Sequence, residues 1–221
     1  MGDMIQLIAA DGHKLDAYRA APATTPKGGI VILQEIFGIT GHIRSVADSY
    51  AHQGYLVIAP SLFDRSKPGI VLDYTEFEAA RGIMTALDLN AAITDIEAAV
   101  NEVRPAGRVA AIGYCWGGAM ADLSACRLKI DAAVSYYGRM TVEWLDEQPG
   151  CPVIYHYGGK DQLIPPETIA QIEAGRSGHS SYVYPDAGHG FNCDDRYDFE
   201  PASAQLALDR TLAFLQQNID R

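Results

Sequence analysis

The chain has 221 residues, of which 48% are hydrophobic and 20% charged, and its formal net charge is −11. This length and composition are typical of a globular protein, and we expect a single α/β domain over residues 1–221. The chain has 28 acidic against 17 basic residues. That balance disfavours nucleic acids and anionic membrane surfaces as partners, because the long-range field repels polyanions.

Targeting and metal-binding signals are both weak. No apolar run approaches the roughly 20 residues that span a bilayer. The opening residues lack the basic region and long apolar core of a signal peptide, so we expect a cytoplasmic protein. The four cysteines are Cys115, Cys126, Cys151 and Cys193. They form no CxxC pair and share no zinc spacing with histidines, so we expect free thiols and no metal.

Short apolar runs alternate with helical patterns along the chain. The segments MIQLIA and KLDAYRA predict a hairpin across the turn signal Asp11-Gly12. The later predicted strands are, in order, GIVILQ, YLVIAP, RVAAIGY, DAAVSYYG, CPVIYHYG and SSYVYP. The helical patterns are HIRSVADSYAHQG, two helices within 74–103 separated near Asp88, WGGAMADLSACR, PPETIAQIEAG and PASAQLALDRTLAFLQQ.

This alternation indicates βαβ units. The sequence therefore predicts an α/β fold with a mostly parallel central sheet, helices on both faces and an N-terminal antiparallel hairpin. Sheets of this kind place their ligand sites at the carboxyl ends of the strands. We therefore expect the functional side chains in the loops that directly follow strands.

A cysteine occupies the centre of the segment GYCWG, between a predicted strand and a predicted helix. A strand, a sharp turn and a helix form the context in which Gly-x-nucleophile-x-Gly is meaningful. Gly113 and Gly117 let the strand and helix approach closely, and the helix N-terminus favours a thiolate. The pattern predicts Cys115 as a nucleophile; the alternative is a buried cysteine beside a glycine-rich turn.

A nucleophile needs a base and an orienting acid, and both are available further along the chain. His189 lies in DAGHGF after the strand SSYVYP, and Asp161 lies in GGKDQLIPP after CPVIYHYG. Nucleophile, acid and histidine in this order are typical of the α/β-hydrolase fold. Asp161 has an alternative role as the cap of the following helix. The rival acids, close to His189 in sequence, are Asp186, Asp194 and Asp195.

Glu35 ends the first long strand, in the loop expected to supply half of an oxyanion hole. The N–H groups of Ile36 and of Trp116 are the predicted oxyanion donors. A buried carboxylate there needs a partner, and Cys115 and a backbone donor are the expected ones. The alternative is an exposed loop glutamate.

Four sequence blocks resemble the dienelactone hydrolase family (carboxymethylenebutenolidases). They are QEIFG at 34–38, GYCWGG at 113–118, GGKDQLIP at 158–165 and AGHGF at 187–191, with lesser support from 54–63 and 209–215. The resemblance implies a triad of Cys115, Asp161 and His189. It also implies that Glu35 interacts with the thiol and helps to control its ionisation. The implied activity is the opening of enol-lactones, in the catabolism of chlorinated aromatics, with no metal or organic cofactor.

Substrate binding is where the chain departs from the family pattern. Arginines hold the substrate carboxylate in the family, one of them shortly after the catalytic histidine. Here that stretch contains Asn192 and Cys193 beside the acidic pair Asp194-Asp195, which would repel an anionic substrate. The candidate substrate-binding residues are Arg81, Arg196, Phe37 and Tyr114.

The sequence thus predicts a cysteine-dependent hydrolase of ester or lactone bonds that forms a thioester intermediate. A broader carboxylesterase or thioesterase of the same fold is the first alternative. A non-catalytic module that binds a small ligand is the second, and a redox-sensing cysteine the third. The expected partner is a small-molecule ester or lactone, and the expected assembly is a monomer or small homo-oligomer.

Overall fold

The computed structural model describes residues 2–220 and contains one eight-stranded sheet with six α-helices. The strands are β1 (Asp3–Ile8), β2 (Lys14–Ala20), β3 (Gly29–Leu33), β4 (Leu56–Pro60), β5 (Val109–Tyr114), β6 (Ala132–Tyr136), β7 (Val153–Gly158) and β8 (Ser180–Tyr184). The helices are α1 (Gly41–His52), α2 (Phe77–Ala86), α3 (Leu89–Val103), α4 (Trp116–Arg127), α5 (Pro166–Gly175) and α6 (Pro201–Asn218). The predicted order of strands and helices is confirmed.

The sheet is mixed, with the order β1-β2-β4-β3-β5-β6-β7-β8. The predicted N-terminal hairpin is confirmed: β1 pairs antiparallel with β2 in a register that sets Met4 opposite Tyr18. Strand β2 also pairs antiparallel with β4, while every pairing from β4 through β8 is parallel. The carboxyl ends of β3 to β8 therefore meet at one edge of the sheet.

The central strands are apolar on both faces because helices cover both sides. All residues of β3, β4, β5 and β6 are buried. Helices α3 and α4 contact each other and pack on the central strands, whereas α1 and α6 together border a separate cavity. Within residues 2–220, none of the helices combines the length and hydropathy that crossing a bilayer requires.

Side-chain caps fix the helix boundaries that the sequence indicated. Thr40 caps α1 by accepting a hydrogen bond from the N–H of Ile43. Asp88 caps α3 by accepting from Asn90 and Ala91, and this cap separates α2 from α3 at the predicted position. A short 3₁₀ segment, Arg139–Trp144, follows β6 and was not predicted from the sequence pattern.

A buried ionic network ties α4 to the segments that surround it. The Asp122 carboxylate accepts two hydrogen bonds from the Arg176 guanidinium, at 2.8 Å each. It also accepts from the Trp144 indole N–H at 3.0 Å and from the Tyr155 hydroxyl. Asp122 is fully buried, and Arg176 is 2% exposed. Within residues 2–220, each of these two buried charges forms an ion pair only with the other.

We expect Asp122→Asn to lower the free energy of unfolding by about 3–5 kcal/mol, because it leaves the guanidinium of Arg176 buried and uncompensated. Urea unfolding followed by circular dichroism measures the change. Asp146→Asn, which alters an exposed carboxylate near the same 3₁₀ segment, is the matched control and should stay within about 0.5 kcal/mol of the wild type. Equal effects of the two variants would contradict this account of the network.

Candidate active site

Cys115 occupies the sharp turn between β5 and α4. Its backbone has φ 55° and ψ −119°, a conformation that non-glycine residues rarely adopt. A Cβ on Gly113 would collide with the carbonyl of Gly117, and one on Gly117 would collide with the carbonyls of Leu33 and Gln34 at the end of β3. The two glycines therefore allow strand, turn and helix to pack closely, as the GYCWG pattern predicts.

The structure brings Cys115, His189 and Asp161 into one chain of hydrogen bonds. His189 Nε2 lies 3.1 Å from Cys115 Sγ, and His189 Nδ1 lies 2.7 Å from Asp161 Oδ2. The three residues follow β5, β8 and β7, whose carboxyl ends lie at the same edge of the sheet. His189 and Asp161 are buried, whereas Cys115 is partly exposed. The arrangement presents a sulfur to solvent with a base and an orienting acid behind it.

The electrostatic environment of the three hydrogen-bonded residues favours a positively charged imidazole on His189. Burial lowers the pKa of His189, but the electrostatic interaction with Cys115 and the hydrogen bonds to Asp161 and Cys115 raise it more, to about 10. An imidazolium beside the sulfur stabilises a thiolate, which is the nucleophilic form of cysteine. The geometry can therefore support an ion pair between Cys115 and His189.

The other three thiols have a different environment. No disulfide joins cysteines within residues 2–220. Burial raises the pKa values of Cys126, Cys151 and Cys193 to about 12 in each case. These thiols stay protonated near neutral pH, so they are poor nucleophiles.

Asp161 does not cap the following helix. The N-cap of α5 is Pro165, and Asp161 Oδ1 accepts a hydrogen bond from the N–H of Leu163. This bond fixes the carboxylate while its other oxygen faces His189. Two of the three rival acids are engaged elsewhere, since Asp186 pairs with Lys160 and Asp194 pairs with His42.

Glu35 is buried, but its partner differs from the sequence-based expectation. Its Oε1 lies 3.3 Å from a guanidinium nitrogen of Arg196, not in a hydrogen bond to the Cys115 thiol. Arg196 lies at the same distance from Asp198. Burial lowers the pKa of Arg196, but Glu35 and Asp198 raise it more. The correction has a simple reason: a full positive charge compensates a buried carboxylate better than a thiol does.

A pocket of about 560 Å³ opens above Cys115. Ile36 and Trp116 line it beside the sulfur, where their N–H groups were predicted to act as oxyanion donors. Trp116 is the first residue of α4, so its N–H has no carbonyl partner within the helix. The full lining is Ile36, Phe37, Phe77, Arg81, Met84, Cys115, Trp116, Tyr137, Arg139, Met140, Gln162, Leu163, Pro165, Thr168, His189 and Arg196.

Three of the four candidate substrate-binding residues line this pocket: Arg81, Arg196 and Phe37. Tyr114 does not, because it is 1% exposed and stacks on Tyr136, with 4.8 Å between ring centroids. Its side chain borders a different cavity, between α1 and α6.

The expected repulsion of anions from the loop after His189 is also corrected. The Asp194 side chain points to His42 instead of the pocket, and Asp194 Oδ1 lies 2.8 Å from His42 Nδ1. The sulfur of Cys193 lies 3.3 Å from the Tyr74 hydroxyl. Neither Asp194 nor Asp195 lines the pocket, and no other Asp or Glu does. The pocket therefore has a positive lining in a protein of net charge −11.

Several lining residues were missed from the sequence, and two of them, Tyr137 and Arg139, directly follow β6. Tyr137 has a φ of 43°, and its ring lies 5.1 Å from that of His189. Arg139 opens the 3₁₀ segment after β6 and contributes a third guanidinium to the pocket. Both follow a strand that pairs directly with β5, so their position at a strand end was the available signal.

Within residues 2–220 no three His, Cys, Asp or Glu side chains are grouped so as to hold a metal ion.

Comparison with known proteins identifies the family of this chain. The model of the dienelactone hydrolase family matches residues 15–219. Carboxymethylenebutenolidase from Pseudomonas putida is 34% identical over 223 residues, covering 96% of this chain and 94% of that protein. Carboxymethylenebutenolidase 1 from Cupriavidus pinatubonensis is 31% identical over 226 residues, covering 97% of both. A crystal structure from Klebsiella pneumoniae subsp. pneumoniae, provisionally named a dienelactone hydrolase, superposes with a TM-score of 0.86 at 27% identity, covering 98% of this chain and 99% of that one. The chain therefore belongs to the dienelactone hydrolase family, whose members are hydrolases of the α/β-hydrolase fold.

Proposed function

We propose that this protein hydrolyses ester or lactone bonds through a thioester on Cys115, and that enol-lactones of the dienelactone type are its substrates. The observation that carries the proposal is the unbroken chain of hydrogen bonds from Cys115 through His189 to Asp161 at the floor of the pocket. The naming of its relatives as carboxymethylenebutenolidases supports the choice of a lactone.

In the first half of the reaction, the Cys115 thiolate attacks the carbonyl carbon and forms a C–S bond. The carbonyl oxygen becomes an oxyanion, which accepts hydrogen bonds from the N–H groups of Ile36 and Trp116. The tetrahedral intermediate then collapses, and the C–O bond to the enol or alcohol oxygen breaks. His189 donates its proton to that oxygen, which leaves a thioester on Cys115 and a neutral imidazole.

In the second half, the neutral imidazole takes a proton from water while the water oxygen attacks the thioester carbonyl. Breaking the C–S bond releases the carboxylic acid and regenerates the thiolate and the imidazolium. Asp161 holds one orientation of the ring throughout and stabilises its charged form. The cycle consumes one water and uses no group outside the chain.

The pocket also supports a second candidate function. Its volume of about 560 Å³ exceeds the needs of one five-membered lactone ring, and Phe37, Phe77 and Met84 give it an apolar wall. A broader carboxylesterase acting on aryl esters fits this space.

A substrate panel separates the two functions. We expect the kcat/KM for cis- and trans-dienelactone to exceed that for phenyl acetate and for acyl thioesters by at least about tenfold, since a lactone bearing a carboxylate meets the positive lining. The kcat/KM values are measured by steady-state hydrolysis of the four kinds of substrate in the same buffer. A preference for phenyl acetate would contradict the lactone proposal and favour the broader esterase.

A further inference from the structure

The oxyanion loop, which we define as residues 35–40, contains the N–H of Ile36 that is the first predicted oxyanion donor. Ile36 is buried, and among residues 2–220 no acceptor is found for this N–H. The donor is therefore free to bind a ligand, and its direction depends on how the oxyanion loop is held. The segment before α2, residues 70–74, packs on the outside of this loop.

Backbone and side-chain contacts join the segment before α2 to the oxyanion loop. The N–H of Leu72 donates to the carbonyl of Phe37 at 2.9 Å. The Tyr74 ring meets the Phe37 ring edge-on, with 4.8 Å between centroids, and the Tyr74 hydroxyl lies 3.2 Å from Thr40 Oγ1. Phe37 directly follows Ile36 in the chain, so a displacement of Phe37 also displaces the N–H of Ile36.

Tyr74 also contacts the loop after the catalytic histidine. The Cys193 thiol donates to the Tyr74 hydroxyl at 3.3 Å, and the Arg196 guanidinium lies over the Tyr74 ring, 6.0 Å from its centroid. Burial raises the pKa of Tyr74 well above its usual value, so the hydroxyl stays neutral. Both loops border the pocket over Cys115, and Tyr74 contacts each of them.

We propose that Tyr74 is a positioning residue that fixes the N–H of Ile36 in the oxyanion hole, and that it acts through the contact between its ring and the Phe37 ring. The ring carries this role because Phe37 is the immediate neighbour of the donor. The hydroxyl contacts Thr40, four residues further on, and a thiol, which is a weak donor. This inference rests on the proposed function and deepens it by naming a residue on which its oxyanion hole depends.

Tyr74→Leu removes the ring and should lower kcat for phenyl acetate by about tenfold or more, while KM changes by no more than about threefold. An oxyanion donor acts in the transition state, and loss of one donor costs about 10²–10³ in kcat, of which a displaced donor loses a part. Tyr74→Phe keeps the ring and should keep kcat within about threefold of the wild type. Steady-state hydrolysis of phenyl acetate measures both constants.

Tyr182→Leu is the matched control. Tyr182 is also a partly buried tyrosine with a guanidinium over its ring, that of Arg210 at 4.3 Å from the centroid, but it lies on β8 and does not line the pocket over Cys115. We expect this variant to keep kcat within about twofold of the wild type.

Alkylation of Cys115 by iodoacetamide separates a displaced donor from a general disturbance of the site. The thiolate displaces iodide in one step and forms no oxyanion, so the rate depends on Cys115 and His189 but not on the N–H of Ile36. Mass spectrometry of the peptide containing Cys115 gives the rate constant. For Tyr74→Leu we expect a value within about twofold of the wild type, together with the loss of kcat.

Phe37→Leu breaks the same ring contact from the other side and should show the same pattern, a lower kcat with unchanged alkylation. The variant that carries both Phe37→Leu and Tyr74→Leu should lose no more kcat than the more impaired single variant, because the two rings act as a unit.

Four outcomes overturn the inference. They are a Tyr74→Leu variant that keeps kcat within about twofold of the wild type, one that is alkylated as slowly as it hydrolyses, a Tyr74→Phe variant as impaired as Tyr74→Leu, and losses that multiply fully in the double variant. A failure of the proposed function has a different signature, because Cys115→Ala would then still hydrolyse phenyl acetate with Tyr74 intact.

Discussion

Cys115→Ala is expected to lower kcat/KM for phenyl acetate by about 10⁴-fold or more, because the variant has no atom that can form the covalent intermediate. Rapid mixing of the wild type with the ester, followed by acid quench and mass spectrometry, should show one acetyl group per chain on the peptide containing Cys115. The alanine variant should show none.

Cys115→Ser is the matched variant, since it keeps the size of the side chain and replaces only the sulfur. A serine hydroxyl ionises far less readily than a thiol, so an imidazolium–alkoxide pair should not form. We expect activity between those of the wild type and the alanine variant. A melting temperature within about 5 °C of the wild type would show that either variant is folded. An alanine variant with a tenth or more of the wild-type rate would contradict the assignment of Cys115 as the nucleophile.

The parts of the site that the sequence predicted depend on local geometry. The turn at Cys115 needs glycines at 113 and 117 because backbone atoms occupy the space where a Cβ would lie. His189 and Asp161 each follow a strand, and parallel strands bring their carboxyl ends together. The GYCWG motif therefore suffices to predict the position of Cys115, and the strand-end positions of Asp161 and His189 suffice to predict that they lie near it.

The parts that the sequence did not predict depend on contacts between distant residues. Glu35 and Arg196 are 161 residues apart, and no local pattern indicates their pairing. The direction of the Asp194 side chain depends on His42, which is 152 residues away. Tyr114 was a candidate substrate-binding residue and directly precedes Cys115, yet neighbouring strand residues point to opposite faces of a sheet. Its ring is consequently buried on the side away from the pocket.

Arg139 illustrates a limit of another kind. It lies in a 3₁₀ segment whose pattern is too short to predict, and an arginine on a surface loop gives no signal by itself. Only the structure shows that the loop after β6 borders the same pocket as the loop after β5. The specificity of the enzyme is therefore the property least accessible from its sequence.

Asp161→Asn should reduce kcat/KM for an alkyl ester by about 10³–10⁴-fold, because an amide can hold His189 in the wrong tautomer. If the asparagine oxygen accepts from Leu163 N–H, its NH₂ group faces Nδ1 of His189. The ring proton then sits on Nε2, and the imidazole cannot take a proton from the Cys115 thiol. Asp186→Asn, at an exposed carboxylate that pairs with Lys160, is the matched control and should leave the rate within about twofold of the wild type.

The same variant should change the pH dependence in a defined direction. The pKa of His189 is raised to about 10, chiefly by the Cys115 charge acting against burial and further by the hydrogen bond to Asp161. In the proposed mechanism the imidazolium donates a proton to the alcohol, so the kcat/KM of the wild type for an alkyl ester should fall as the pH rises through about 10. Removing the Asp161 charge lowers the pKa of His189 and moves this fall to lower pH.

The stability of the folded protein should also depend on the protonation of His189. A histidine whose pKa is higher in the folded state than its unfolded value of 6.5 contributes stability that is complete below pH 6.5 and is lost as the pH rises toward 10. The contribution of His189 to the free energy of unfolding of the wild type should therefore fall between these pH values, and its contribution in Asp161→Asn should fall less. Urea titrations at half-unit pH intervals measure both slopes. Identical slopes for the two proteins would show that Asp161 does not hold the charge of His189.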